Sequence, residues 1–316
     1  MRHARPPLSD ERYLAGDASY RRYARARTPE GNTVILVRYP RDRPGEFRRD
    51  LEVRRWLAEK GLRVPDLLWV DAEEREAVLE DFGPHDAARV LAALGPEERL
   101  VQVLDLVRPL EVLSRLDPAE LPPWNVPLSG SRLREELIPF GTWFAGELIG
   151  RRLSPASEDW LGTLVRWVDR HPKRVCHRDY HLNNLFFLPE GDVGIIDFQD
   201  VLVGPDTYDA SSFLGDRDLP TLLAPRERAR WLEAWAEATA ADPGWEGRAA
   251  ETEAHRGLKV LGTFARLALS RGERRYLQWV PPLAARMAPL VESLGAPAEM
   301  VELLLDCPLE GLDHVG

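Results

Sequence analysis

Residues 176–210, Cys176-His-Arg-Asp-Tyr-His-Leu-Asn-Asn-Leu-Phe-Phe-Leu-Pro-Glu-Gly-Asp-Val-Gly-Ile-Ile-Asp-Phe-Gln-Asp-Val-Leu-Val-Gly-Pro-Asp-Thr-Tyr-Asp-Ala210, decide how the chain reads. His177, Asp179 and Asn184 stand in the spacing H-R-D-x-x-x-x-N, in which an aspartate orients or deprotonates an acceptor hydroxyl and an asparagine holds a magnesium ion. Leu185–Leu188 and Val193–Ile196 follow as short apolar runs separated by Pro189-Glu190-Gly191-Asp192, which predicts a β-hairpin. Pairing Leu188 with Val193 would set Asn184 opposite Asp197, so an amide oxygen and a carboxylate would emerge at the hairpin's open end. Two hard oxygen ligands suit magnesium, which keeps water and phosphate oxygens for its remaining positions. The stretch therefore reads as a phosphoryl-transfer site, with Asp179 in the loop leading into the hairpin. A zinc set of Cys176, His177 and His181 lacks a fourth ligand, and Cys176 closes an apolar, strand-like run.

Towards the N-terminus, Gly16-Asp17-Ala18-Ser19-Tyr20-Arg21-Arg22-Tyr23 leads into one strand, and a turn at Pro29-Glu30-Gly31-Asn32 leads into a second, Thr33–Val37. The small-residue loop could lie over nucleotide phosphates, offering backbone amides and the Ser19 hydroxyl. It has no G-x-G-x-x-G pattern and reads equally as an ordinary turn. Arg38 closes the second strand, where a cation could meet α- and β-phosphates or simply sit at the surface. Phe47, Leu51, Val53, Trp56 and Leu57 recur at helical spacing, and Gly61 supplies a stop, which predicts a helix over 46–60. Glu52 on that helix could pair with the strand cation or be a solvated charge. Leu67–Val70 and Ala77–Leu79 read as two further strands. Glu80-Asp81-Phe82-Gly83-Pro84 then breaks the pattern, as a connector whose backbone would be free to meet adenine.

Beyond that break the periodicity turns helical, over 86–116, 135–149 and 160–168, with a proline-punctuated loop at Leu121–Pro127. After the hairpin, Gly204-Pro205 marks a turn, and Asp209 precedes a helix over 210–214 that it could cap, or it could brace the catalytic loop from below. Helices are also predicted over 231–241, 254–269 and 283–294. The pattern is α+β and bilobal: a small β-rich N-lobe, residues 1–82, for nucleotide phosphates, and a larger, mainly helical C-lobe, residues 83–316, for catalysis and acceptor binding.

At 316 residues, 44% apolar and 30% charged, the chain can bury a sizeable core or two. Its longest apolar runs fall short of a membrane span, and basic residues at the N-terminus have no apolar segment behind them, so a cytoplasmic location is expected. Two cysteines, Cys176 and Cys307, are too few for a disulfide framework. A net charge of −10 argues against a general nucleic-acid binder, although local arginines could still hold an anionic substrate.

Taken together, these residues resemble the aminoglycoside phosphotransferase and choline kinase-like superfamily over nearly the whole chain. They are most similar to its N-acetylmuramate/N-acetylglucosamine, or anomeric sugar, kinase branch. The resemblance rests on Asp17–Tyr23, on His177–Tyr180 with Asn184, and on Asp197–Asp200 with Gly204-Pro205 and Tyr208-Asp209. It rests also on Leu258–Leu267 with Tyr276-Leu277, which separates the branch from generic members. It implies a protein-kinase-like fold with ATP and Mg2+ between the lobes, Asp179 as catalytic base beside His177, Asn184 and Asp197 as metal ligands, and Asp209 as a structural acid. Ser19 and Tyr20 would cover the phosphates, and the backbone of Glu80, Asp81 and Phe82 would meet adenine. Departures from protein kinases are Asp197-Phe198-Gln199 in place of D-F-G, no A-P-E segment and no strand lysine, so whether Arg38, with Glu52, takes that role stays open. The resemblance implies transfer from ATP to the anomeric hydroxyl of N-acetylmuramate, N-acetylglucosamine or a similar sugar. The competing readings are another small hydroxylated acceptor, such as an aminoglycoside, and a non-catalytic nucleotide-binding regulator.

Overall fold

The computed structural model describes residues 5–14 and 21–307. The chain forms two compact units, Met1–Asn125 with Asp179–Val201, and Val126–Arg178 with Leu202–Gly316. The 82/83 boundary expected from the glycine–proline break falls inside the first unit, at the end of its sheet.

The first unit opens with β1 (Ser9–Tyr13), β2 (Arg22–Arg27) and β3 (Thr33–Arg38), then helix α1 (Pro44–Glu59), β4 (Leu67–Asp71) and β5 (Glu76–Glu80). The five strands form one antiparallel sheet in the order β1-β2-β3-β5-β4. Because side chains alternate between faces, β2 and β3 divide their residues cleanly. Ala24, Ala26, Val34 and Leu36 join Val78 on one face. Tyr23, Ile35 and Val37 meet Phe47 and Leu51 of α1 on the other. Helices α2 (Ala87–Ala93), α3 (Pro96–Asp105) and α4 (Arg108–Ser114) follow. The Asp86 carboxylate accepts from the Arg89 N–H at 2.9 Å and so caps α2.

In the second unit, the helix expected over 135–149 begins earlier and changes pitch. Helix α5 (Gly130–Pro139) runs into a π-helical segment, Phe140–Leu148, whose wider turn is sealed where the Ile149 N–H donates to the Phe144 carbonyl at 3.0 Å. Helix α6 (Pro155–Asp169) and β6 (Lys173–Cys176) lead to the 177–184 loop. The hairpin β7 (Leu185–Phe187) and β8 (Val193–Ile195) belongs to the first unit, and β9 (Leu202–Pro205) returns to pair antiparallel with β6. Gly204-Pro205, expected as a turn, thus ends a strand. Proline suits that last position because it has no N–H to lend, and the turn falls on the two residues after it. The remainder is helical: α7 (Tyr208–Leu214), α8 (Leu219–Leu222), α9 (Pro225–Ala238), α10 (Trp245–Arg271), α11 (Val280–Ser293) and α12 (Ala298–Leu305). Buried Leu258, Leu261 and Ala265 of α10 join Phe140 and Phe144 of the π-segment in one core with Met287 and Val291. At Gly262 the two come so close that a Cβ would lie 2.2 Å from the Phe140 nitrogen. Among the described residues no helix is long and apolar enough to cross a membrane.

Candidate active site

The 177–184 loop is built around a strained backbone. Arg178, one residue before Asp179, holds φ 81°, a left-handed conformation that costs a non-glycine residue energy unless its surroundings fix it. Asp209, within the first turn of α7, supplies that fixation: its carboxylate accepts from the His177 N–H at 2.7 Å and the Arg178 N–H at 2.8 Å. It therefore braces the loop, while Thr207 takes the N-cap position. Burial pushes the Asp209 carboxyl up, against the pull of His177 and the two amides. From the other side, Ser212 Oγ and Arg256 Nη1 donate to the Arg178 carbonyl at 3.3 and 3.2 Å. The Arg178 side chain meets Glu136 of α5 at 3.1 Å, and Lys259 of α10 donates to the same oxygen at 2.9 Å. Burial opposes the charged form of Glu136, yet Lys259, His255 and Arg178 outweigh it and hold the carboxyl at about 2. The His177 amide is thus one of the two that Asp209 holds, and Glu136 and Lys259 are supports that spacing alone did not single out. Lys259 stands in the Leu258–Leu267 stretch, and that was its signal.

In the first unit, Asp179 opens the loop that becomes β7. Tyr180 is fully buried and donates its hydroxyl to the Leu106 carbonyl at 2.7 Å, which anchors the loop behind Asp179. Asn184 donates Nδ2 to the Asp179 carbonyl at 2.9 Å and lies 3.2 Å from His181 Nε2. Both contacts use the amide nitrogen, which leaves the Asn184 amide oxygen outside them. The hairpin register differs by one residue from the expected one. The Leu188 N–H donates to the Asp192 carbonyl, and the Gly191 N–H to the Leu188 carbonyl, with Gly191 at φ 85°. The loop is therefore only Pro189-Glu190-Gly191, closed by a left-handed glycine, and Leu188 pairs with Asp192 instead of Val193. Asn184 consequently faces Ile196, whose N–H donates to the Asn184 carbonyl at 3.0 Å. A one-residue slip would point Asp197 to the wrong face. The chain answers with a left-handed turn at Asp197, φ 61° and ψ 34°, followed by a 3-10 turn, Phe198–Asp200.

A ring of charged and polar groups holds that turn. Gln199, where D-F-G has glycine, donates Nε2 to Asp197 Oδ1 at 2.8 Å and lies 3.5 Å from Asp200. Arg21 Nη2 reaches the same Asp197 oxygen at 3.5 Å, and its Nη1 donates to Asp50 of α1 at 2.6 Å. Arg49 closes the circuit, 3.6 Å from Asp50 and 3.8 Å from Asp200. Asn125 Nδ2 donates to the Gln199 and Val201 carbonyls at 2.8 and 2.6 Å, which pins the turn from outside. Burial alone would lower the Arg21 guanidinium's affinity for its proton, but Tyr23, Asp50 and Asp197 raise it.

Arg38 and Glu52 are not brought together. Arg38 donates to Glu76 and Glu11, each at 2.8 Å, and to the Tyr13 hydroxyl at 3.1 Å. Strand alternation explains why: Arg38 has the parity of Val34 and Leu36, whose face turns away from α1. Glu52 is exposed and accepts from Trp124 Nε1. Ser19 and Tyr20 lie outside the described residues.

The connector after β5 has its side chains committed. Arg63 grips the Glu80 carboxylate with two bonds, 2.7 and 2.5 Å. Asp81 accepts from Arg25 at 2.6 and 2.8 Å and from the Gly83 N–H at 3.0 Å, while Arg25 also donates to the Gly83 carbonyl at 2.8 Å. Burial works against the charged Asp81, but Arg25 and the Gly83 amide hold its carboxyl below the usual range. Among the described residues, the Phe82 N–H and carbonyl make no hydrogen bond, so this residue's backbone edge is open to an in-plane partner such as a purine. The Phe82 ring lies against Phe186 and is so close to Gly194 that a Cβ there would sit 2.5 Å away.

Comparison with known proteins agrees with this chemistry. Residues 10–250 match the phosphotransferase enzyme family. A curated relative from Pseudomonas aeruginosa, N-acetylmuramate/N-acetylglucosamine kinase, is 32% identical over 93% of this chain and 87% of its own length. A relative of the same description from Neisseria meningitidis is 28% identical over 95% of this chain and 92% of its own. Among solved structures, an amicoumacin kinase in complex with AMP-PNP and Ca2+ shares the fold, with a TM-score of 0.62 at 14% identity over 97% of this chain and 92% of that one. The architecture is the α+β, kinase-like one, with a five-stranded sheet ahead of a mostly helical remainder, and the chain belongs to the phosphotransferase enzyme family.

Proposed function

We propose that this phosphotransferase is an ATP- and Mg2+-dependent kinase that phosphorylates the anomeric hydroxyl of N-acetylmuramate, N-acetylglucosamine or a closely similar sugar. The observation that carries the reading is the catalytic loop and hairpin, with Asp179, Asn184 and Asp197 on one continuous, internally braced stretch. The sugar comes from the N-acetylmuramate/N-acetylglucosamine kinases that align over more than nine-tenths of the chain. The donor set suits the cofactors. An amide oxygen with its nitrogen committed elsewhere and a carboxylate with one oxygen held by Gln199 are hard ligands of the kind magnesium takes, and Phe82 offers an open backbone edge for adenine.

A bound magnesium ion would neutralise charge on the phosphates, and the protein's own part is positioning. Asp179 would accept a hydrogen bond from the sugar hydroxyl, orient its lone pair towards the γ-phosphoryl group and take the proton as the new oxygen–phosphorus bond forms, the bond to the β,γ-bridging oxygen breaks and ADP leaves with that oxygen. Asn184 and Asp197 would hold the metal, and Asp209 would keep the loop in register through the His177 and Arg178 amides. Phosphorus NMR of the protein with Mg-ATP and each sugar tests the proposal. A new sugar 1-phosphate resonance is the expected result. ATP turnover only with an aminoglycoside or another hydroxylated metabolite would replace the acceptor, and failure to turn over ATP with any acceptor would favour a nucleotide-binding regulator.

A further inference from the structure

The ring around Asp197 contains an arrangement that the familiar kinase pattern does not predict for this chain. Arg21 stands one residue before β2, and its side chain is only 11% exposed. It shares the parity of Tyr23, on the sheet face that meets α1. Asp50 reaches towards it from α1, with a side chain 6% exposed. A short, buried arginine–aspartate pair therefore ties helix α1 to the start of β2, and the second amino group of the same guanidinium extends to Asp197. Arg38, the strand-end arginine, lies on the opposite face and is engaged by Glu11 and Glu76.

We propose that Arg21, oriented by Asp50, is the cation that meets the nucleotide phosphates in this chain and that it also steers Asp197 towards the metal. The assignment rests on the phosphotransferase reading. Three features carry it. Arg21 comes directly after Ser19 and Tyr20, which the resemblance sets over the phosphates, it touches a proposed metal ligand, and its partner acid is on α1, whose Phe47 and Leu51 pack on this face of the sheet. A guanidinium suits the task, because one edge can bind a carboxylate while the other donates to phosphate oxygens. The planar fork also explains why an aspartate, shorter than glutamate, completes the pair from the helix.

The test is calorimetric titration with Mg-ADP together with steady-state KM and kcat for Mg-ATP. The variants are Arg21→Lys, Arg21→Met, the double variant Arg21→Met/Asp50→Leu, and Arg38→Met as the rival assignment. Arg21→Met alone would strand Asp50 as a buried charge and could unfold the protein. The double variant removes both charges together and avoids that cost. Expected for the double variant are a thermal midpoint close to wild type, a loss of Mg-ADP affinity and a rise in KM for ATP on the order of tenfold or more, and a higher Mg2+ concentration for half-maximal rate. Arg21→Lys should recover part of the affinity. Wild-type affinity, KM and Mg2+ dependence in the double variant would overturn the assignment, as would the same losses in Arg38→Met with none in the double variant. A wild-type protein that binds no magnesium nucleotide would overturn the kinase reading itself, and Arg21's role with it.

Discussion

Asp179 and Asp209 are carboxylates thirty residues apart in sequence with different duties, and substitution should separate them. Asp179→Ala removes the group that orients the acceptor hydroxyl, so kcat is expected to fall by about 10²- to 10⁴-fold while calorimetry still detects Mg-ADP. Full turnover in that variant would remove Asp179 from the chemistry. Asp209→Asn keeps the shape but sets an amide N–H against one of the two backbone donors, His177 or Arg178. Chemical denaturation should register a loss of about 1–3 kcal/mol, the cost of an unsatisfied buried donor, and turnover should fall with it because Arg178 loses part of its hold. Spacing and the expected hairpin singled out Asp179, Asn184 and Asp197 as candidates. Arg21 and Asp50 were not, although Arg21 lay inside a stretch already marked. Deciding between Arg21 and Arg38 requires knowing which face of the sheet the helix covers, and that is a tertiary fact. Strand alternation gives each residue a side but does not say which side is which.

Elements tell a similar story about closeness. Gly262 of α10 lies where the π-segment crosses, and the atoms facing it are backbone, Pro139 C and Phe140 N, which cannot swing aside. Gly262→Ala should therefore cost about 1–3 kcal/mol or more in denaturant unfolding, whereas an ordinary glycine-to-alanine change within a helix stabilises. An unchanged midpoint would mean that the two segments separate easily. Gly194→Ala probes the hairpin in the same way: the intruding methyl meets the Phe82 ring, so KM for ATP should rise while kcat changes little. A rise in the sugar's KM instead would disconnect Phe82 from the nucleotide. The hairpin's existence was readable from two apolar runs and a turn, but its register was not. Gly191 closes a three-residue loop where a four-residue one fits the same letters, and the difference is repaired by the left-handed turn at Asp197. Helix α5 and the π-segment were read as one helix because hydrophobic spacing is nearly the same for a slightly wider turn.

For the molecule as a whole, acid should be the destabilising direction. His255 of α10 is fully buried, with Nε2 2.9 Å from the Leu133 carbonyl, and burial lowers its pKa to about 4 in spite of Glu136. The folded state thus binds this proton less readily than the unfolded chain. The stability associated with neutral His255 is complete above the unfolded value of about 6.5 and is lost as pH falls towards the folded value, on the order of 3 kcal/mol across that window. Glu136, held at about 2, adds a further loss as pH falls below its unfolded range. Unfolding free energy measured by urea titration should therefore decline from pH 7 to pH 4, and His255→Gln should flatten the upper part of the slope. An unaltered slope in that variant would assign the acid sensitivity elsewhere. At this scale the sequence was most informative: a sheet followed by helices, with a break after β5, follows from hydrophobic period and punctuation. What it could not supply was the pairing of β6 with β9, which spans the whole hairpin and depends on Pro205 being a strand end instead of a turn.

The guanidinium at Arg21 also alters the site's reactivity towards reagents. The chain contains only three lysines, Lys60, Lys173 and Lys259, and the one in the first unit, Lys60, is ion-paired with Glu120 beyond the end of α1. Covalent ATP analogues that acylate or sulfonylate an amine, which label the strand lysine of ordinary kinases, therefore find no lysine in the strands of the first unit's sheet. Vicinal dicarbonyl reagents, which condense with guanidinium groups, should inactivate the protein instead, and bound Mg-ATP should slow them. The substitution of one cation for another would make this chain silent in amine-directed kinase profiling while leaving its phosphoryl chemistry intact.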